Sequence, residues 1–171
     1  MKTSFGQRLD VQARRLAPVA VTFVLVLLAA MPLHVPGLAR VMPLLPLIGI
    51  YHWTAYRPDL MPAPAVFAIG IFQDIIGGGP LGLYAAVFLL VHGGVVSQAR
   101  FFVGKGFVVM WFGFALMMAA ASMITWVTTM VFNMALVGPR ALVYQYLLTL
   151  GTYPILSLLF LRWHSSLAAE S

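Results

Sequence analysis

The 171 residues predict an all-α membrane protein, a six-helix transmembrane bundle, and three observations carry that expectation. The chain is 62% hydrophobic and only 8% charged, against roughly half apolar and about a quarter charged for a soluble domain. Its apolar residues fall in consecutive runs separated by Pro, Gly and single charges, the pattern of helices that cross a bilayer about 20 residues at a time. The formal net charge is +6, yet the cations stand singly between the runs, which suits orientation in a membrane and not a nucleic-acid groove. There is no cysteine, so disulfides, thiolate chemistry and Cys-ligated metal are excluded.

Lys2, Arg8, Arg14 and Arg15 precede the first run in the outline of a secretory signal. Leu28, Ala29, Ala30, Met31 and Pro32 offer no good small-x-small cleavage site, and further apolar segments follow. Residues 17–33 therefore read as a retained first helix behind a basic cytoplasmic segment, 1–16. A turn through His34, Pro36, Gly37 and Arg40 leads to a second run, 41–56. Arg57, Pro58, Asp59 and Pro62 break it, and a third run covers 63–76. Gly77, Gly78, Gly79 and Pro80 form the next break, read as a flexible re-entrant turn with Pro80 starting the fourth run, 81–97. Residues 107–132 read as one tilted helix, and Asn133, Gly138, Pro139 and Arg140 separate it from a last run, 141–161, followed by a short cytoplasmic tail, 162–171.

Loop charge tests the count. With six spans and both termini cytoplasmic, Lys2, Arg8, Arg14, Arg15, Arg57, Arg100, Lys105 and Arg162 lie inside, and only Arg40 and Arg140 outside. That asymmetry follows the positive-inside tendency of an inner membrane. The second and third runs are short, so five spans is the fallback count. Trp53, Tyr56, Trp111 and Trp163 fall near the inner interface and Trp126 toward the outer one. Ten of the eleven prolines fall in loops or first turns. Pro154 alone sits deep in an expected helix, where Thr149 or a neighbouring helix must satisfy the carbonyl it frees.

Candidate functional residues are few. Asp74 is the one acidic residue inside an expected span, and such residues are costly enough to be functional candidates by default. Gly70, Asp74 and Gly78 share one helix face at i, i+4, i+8, so Asp74 is expected to point into the bundle where a helix approaches closely. At about 1.5 Å rise per residue, Gln145, flanked by Tyr144 and Tyr146, lies at a matching depth and is a candidate partner, with Asn133 and Arg140 just outside, whereas His92 lies too deep. Asp74 reads as a proton or ligand site or as an interior packing residue; the second is favoured because no second acid or His shares its depth, and on it an isosteric amide should be tolerated. His52 and His92, at comparable depth, fall short of a usual metal set. The 77–82 sequence GGGPLG lacks the Lys-Ser/Thr ending and preceding strand of a phosphate loop. Gly93 with Ser97, and Ala121 with Thr125 and Thr129, give two further small-residue faces. No nucleophile, oxyanion hole or metal centre is assembled, so the expectation is a non-enzyme without catalytic, metal or cofactor-binding residues.

Arg15 and Pro18 before the first span, Tyr51, His52 and Trp53 followed by RPDLMP, then F-x-x-G-x-x-x-D from Phe67 to Asp74, then GGGPLG, stand in this order. In that order they resemble the rod shape-determining MreD family of Gram-negative bacteria, over roughly residues 10–163. The specificity lies in the block from Arg57 to Gly82. A pair of adjacent arginines in the family's loop after the fourth span is here Arg100 with Lys105. The resemblance implies an integral inner-membrane subunit of the machinery that builds lateral-wall peptidoglycan, with MreC as direct partner. MreB, the RodA glycosyltransferase and a class B penicillin-binding transpeptidase would be further members of that complex. Taken together, these readings make Arg57, Gly70, Asp74, Gly78, Pro80, Gly82, Gln145 and Gly93 the structural or partner-interface candidates. The same family is distantly similar to the six-helix substrate-binding subunits of energy-coupling-factor vitamin transporters. A small-molecule carrier is therefore the alternative function, and membrane lipid or a second copy of the chain are further compatible partners.

Overall fold

A computed structural model describes residues 5–31, 42–99, 104–134 and 138–169, excluding the side chains of residues 5–15, 161 and 163–169. The described residues form six helices: α1 (Phe5–Ala30), α2 (Leu45–Tyr56), α3 (Ala63–Gly77), α4 (Leu83–Ser97), α5 (Phe107–Asn133) and α6 (Arg140–Ala169). One short 3-10 turn, Pro58–Leu60, links α2 to α3. Helical order follows the apolar runs. The Arg40 turn and Arg100 lie outside the described residues.

Both terminal helices are longer than their apolar runs. α1 begins at Phe5, so the basic segment is already helical, and Pro18 lies inside it. Pro154 is therefore not alone inside a helix. At the other end α6 continues to Ala169, through most of the expected tail.

The core is built around α2. Pro46 through Thr54 are buried without interruption. A helix apolar all round has no face to show water and belongs inside a bundle, and α2 is packed by α1, α4, α5 and α6. Gly49 brings α1 close, because a Cβ there would sit 2.9 Å from Thr22 Oγ1. Tyr51 meets α5 and α6 together, its ring 5.2 Å from Phe114 and 5.9 Å from Tyr153. The Tyr51 hydroxyl donates to the Met110 carbonyl at 2.9 Å. Arg57 and Pro58 stop the helix, the Arg57 N–H bonding back to the Trp53 carbonyl.

The hydrogen bonds also fix helix directions. Leu44 meets Thr149 and His52 meets Ser157 at the same sequence offset of 105, so α2 and α6 run parallel in register. Trp111 meets Leu150 while Ala115 meets Tyr146, which makes α5 antiparallel to α6.

Two stretches, Phe107–Asn133 with 27 residues and Arg140–Phe160 with 21, are long and apolar enough to cross a membrane. Leu16–Ala30, Ala63–Gly77 and Leu83–Ser97 are apolar but shorter. At 15 residues each, α3 and α4 are about 22 Å long, and α2 with 12 residues about 18 Å, against about 30 Å of hydrocarbon in a bilayer. The outward faces of α5 and α6 are apolar: Phe112, Leu116, Val131, Ile155 and Leu159 are all at least 60% exposed. On the same helix Thr125, Thr129 and Asn133 bond the carbonyls four residues back, so this polar stripe is satisfied within α5.

Pro154 leaves the Leu150 carbonyl without its intrahelical donor. The neighbouring helix supplies one, the Trp111 indole N–H of α5 at 3.3 Å. Thr149 is occupied elsewhere, at the start of α2. Trp111→Phe should therefore destabilise the bundle by about 1–3 kcal/mol, and by clearly less in a Pro154→Ala background, where the helix supplies its own N–H. Unfolding of the four variants in mild detergent measures the difference; equal costs in both backgrounds would refute the pairing.

Candidate functional site

The sequence candidates converge on the hairpin of α3 and α4. Proline opens α3, with Pro62 in extended backbone before it and Pro64 in its first turn. Glycine ends it: Gly78 adopts φ 64°, and its N–H bonds the Asp74 carbonyl at 3.1 Å. This is the left-handed stop that glycine makes at no steric cost. Gly82, at φ 94°, turns the chain into α4, and the Leu83 N–H bonds the Pro80 carbonyl. Pro80 thus belongs to the turn, three residues ahead of α4, and the GGGPLG connection is hydrogen-bonded at both ends.

Asp74 is 1% exposed and aims its carboxylate at the start of α4. Oδ2 accepts the Gly82 N–H at 2.8 Å and the Ala85 N–H at 3.4 Å; Oδ1 accepts the Tyr84 N–H at 2.9 Å. The first N–H groups of any helix lack intrahelical partners and carry its positive dipole end, so a carboxylate is their preferred acceptor. The usual capping residue precedes its own helix, but Gly82 has no side chain to offer. Asp74 performs that task from the preceding helix. Gly70, one turn earlier, makes the approach feasible: a Cβ there would lie 2.3 Å from Ala85 Cα and 2.6 Å from Ala85 N.

The shared face of Gly70 and Asp74 is therefore real, but Gln145 is not the partner of Asp74. The depth argument compared side chains, whereas the donors are backbone N–H groups eight to eleven positions ahead. Gln145 instead donates from Nε2 to the Met42 carbonyl at 3.0 Å. One turn along, the Thr149 hydroxyl accepts the Leu44 N–H at 3.0 Å and donates to the Gln145 carbonyl at 2.6 Å. Together these α6 side chains hold the chain where it enters α2. Thr149 was not singled out for this; its signal was the i, i+4 spacing from Gln145.

The other candidates stay apart. Arg57 and Gly93 are exposed, Gly93 with open space before it, and the Ser97 hydroxyl bonds the Gly94 carbonyl. Gly78 acts through its backbone, with nothing within 4 Å of an added Cβ. His92 Nε2 lies 2.9 Å from the Met61 carbonyl and so donates its proton there, anchoring α4 to the turn before α3. His52 is buried against Ser157, 3.4 Å from its hydroxyl, and among the rings of Trp53, Tyr56 and Phe160. Among the described residues no three His, Asp or Glu side chains are grouped so as to hold a metal ion. What the arrangement does chemically is accept hydrogen bonds at a helix start, with both carboxylate oxygens engaged.

Comparison with known protein families, with curated proteins and with solved structures finds no match.

An amide at position 74 can keep one oxygen on Gly82 and Ala85, but its NH2 group then faces the Tyr84 N–H, donor against donor. The sequence expectation that Asp74→Asn is neutral is revised accordingly. Asp74→Asn should cost about 1–2 kcal/mol, and Asp74→Leu, which strands all three donors, about 3 kcal/mol or more. Membrane level and thermal unfolding in detergent check the order; an asparagine variant as stable as the parent would contradict it. Gly70→Ala should be at least as damaging as Asp74→Leu, since the obstructing atoms are backbone. The same assays test this, and a normal level of Gly70→Ala would show that α4 does not pack this closely.

Proposed function

We propose that this chain is a non-enzymatic integral subunit of a bacterial cell-elongation complex of the MreD type. It crosses the inner membrane six times with both termini cytoplasmic, and it supports lateral-wall peptidoglycan synthesis by binding MreC and, through it, other members of the complex. The observation that carries the reading is the ordered block from Arg57 to Gly82, whose Phe67 to Asp74 signature and GGGPLG turn resemble that family. In this fold the same residues form one device, with Gly70 and Asp74 fastening the start of α4. A residue pattern that builds a specific hairpin is a stronger pointer than apolar runs.

The membrane part draws on further support. α5 and α6 have spanning length, and their outward faces are apolar over their whole middle. The eight-to-two division of Lys and Arg orients the termini inward. The short helices need not reach both surfaces alone: α2 is enclosed by other helices along its length.

A vitamin-type carrier needs a pocket lined by several convergent polar groups free to meet a ligand. Asp74, Gln145 and Tyr146, which with Tyr144 would furnish one, are bonded to backbone within the chain. The scaffold reading is preferred for that reason. Depletion of the protein should give rounded cells with misplaced wall synthesis, seen by microscopy with a fluorescent wall precursor, and MreC should co-purify from native membranes in mild detergent. Cells that keep their shape but acquire a vitamin requirement would transfer the assignment to the carrier.

A further inference from the structure

The turn that joins α3 to α4 is built unlike an aqueous loop. Between Asp59 and Arg100 the only charged residue is Asp74, which is buried. The residues at the tip are glycines, a proline and exposed apolar side chains, with Ile75 62% and Leu81 74% exposed. Ile76 is exposed beside them. Two arms of about 22 Å are shorter than the hydrocarbon by about 8 Å. A turn left below the membrane surface ordinarily suffers from unpaired backbone donors. Here Asp74 serves the N–H groups of Gly78, Gly82, Tyr84 and Ala85, through its carbonyl for the first and its carboxylate for the others, and Pro80 serves Leu83.

Resting on the membrane reading above, we infer that the 77–82 turn is a lipid-contacting tip: it lies in the outer part of the hydrocarbon, below the headgroups, with Ile75, Ile76 and Leu81 against lipid. Asp74 is then what makes that depth more tolerable, since it pairs most of the donors there; the Gly79 and Leu81 N–H groups have no partner among the described residues and are left for headgroup oxygens or interfacial water. Topology is unchanged, because the hairpin enters and leaves on the Arg57 side whether or not its tip emerges.

The chain has no cysteine, so single cysteines report without further engineering. Leu81→Cys, Leu116→Cys and Met134→Cys place a nitroxide at the tip, midway along α5 and just past its end; all three parent side chains are well exposed, so little packing is lost. The full-length purified variants are reconstituted into phosphatidylcholine–phosphatidylglycerol vesicles, and collision rates with oxygen and with a water-soluble nickel chelate are compared. Oxygen should dominate at Leu81 and Leu116, and the chelate at Met134. If the chelate dominates at Leu81 while oxygen still dominates at Leu116, the tip is aqueous, open to water or to a partner protein, and the inference is overturned with the membrane reading intact. If the chelate dominates at Leu116 as well, the membrane reading falls and takes the inference with it.

Discussion

Everything about the α3–α4 hairpin depends on one contact, the Asp74 carboxylate held against the first N–H groups of α4. A buried carboxylate in an apolar bundle is costly unless each oxygen is met. The start of a helix is costly too unless its donors are met. Placed together, the two deficits cancel, and neither a cation nor a solvent channel is required. The geometry leaves little freedom: the carboxylate reaches only because Gly70 lets Ala85 lie almost on the α3 backbone, and the chain returns in register only because Gly78 and Gly82 supply left-handed turns. Four residues on one short segment thus act as a unit.

The same economy recurs at the other interrupted helices. α2 is too short to bring its own entrance to a surface, and Gln145 and Thr149 of α6 meet the backbone there. Pro154 opens a gap in α6, and Trp111 of α5 fills it. In each case a side chain on one helix completes the backbone of another. In a chain with 8% charged residues, these side chains serve backbone groups where an unpaired one would be damaging in an apolar setting.

The order and type of the helices were legible in the sequence because Pro and Gly punctuate it so plainly. Pro58, Pro62, Gly78 and Gly106 all stand at helix ends. The face shared by Gly70 and Asp74 was legible from spacing. What escaped was the identity of the partner, because a search among side chains overlooks donors that every residue carries; the clue was an Asp three residues before a glycine-rich turn that offers no cap of its own. The central place of α2 escaped as well. A uniformly apolar run of that length reads equally as a short span or as a buried core helix, and only the neighbours decide. The helical start at Phe5 was hidden by charge, since basic residues mark orientation while also being good helix formers.

The bond between Leu44 and Thr149 has a temporal side. Its two residues are separated by 105 positions, so the entrance to α2 is synthesised long before the residue that completes it. At roughly 5–20 residues per second, translation leaves that backbone without its partner for roughly 5–20 s. Through that interval α1 and α2 must be held by something other than the finished bundle. The close fit of Gly49 against Thr22 needs no later helix, and α4 and α5, which also pack on α2, are made before α6. The entrance to α2 is thus completed only when the last helix is in place.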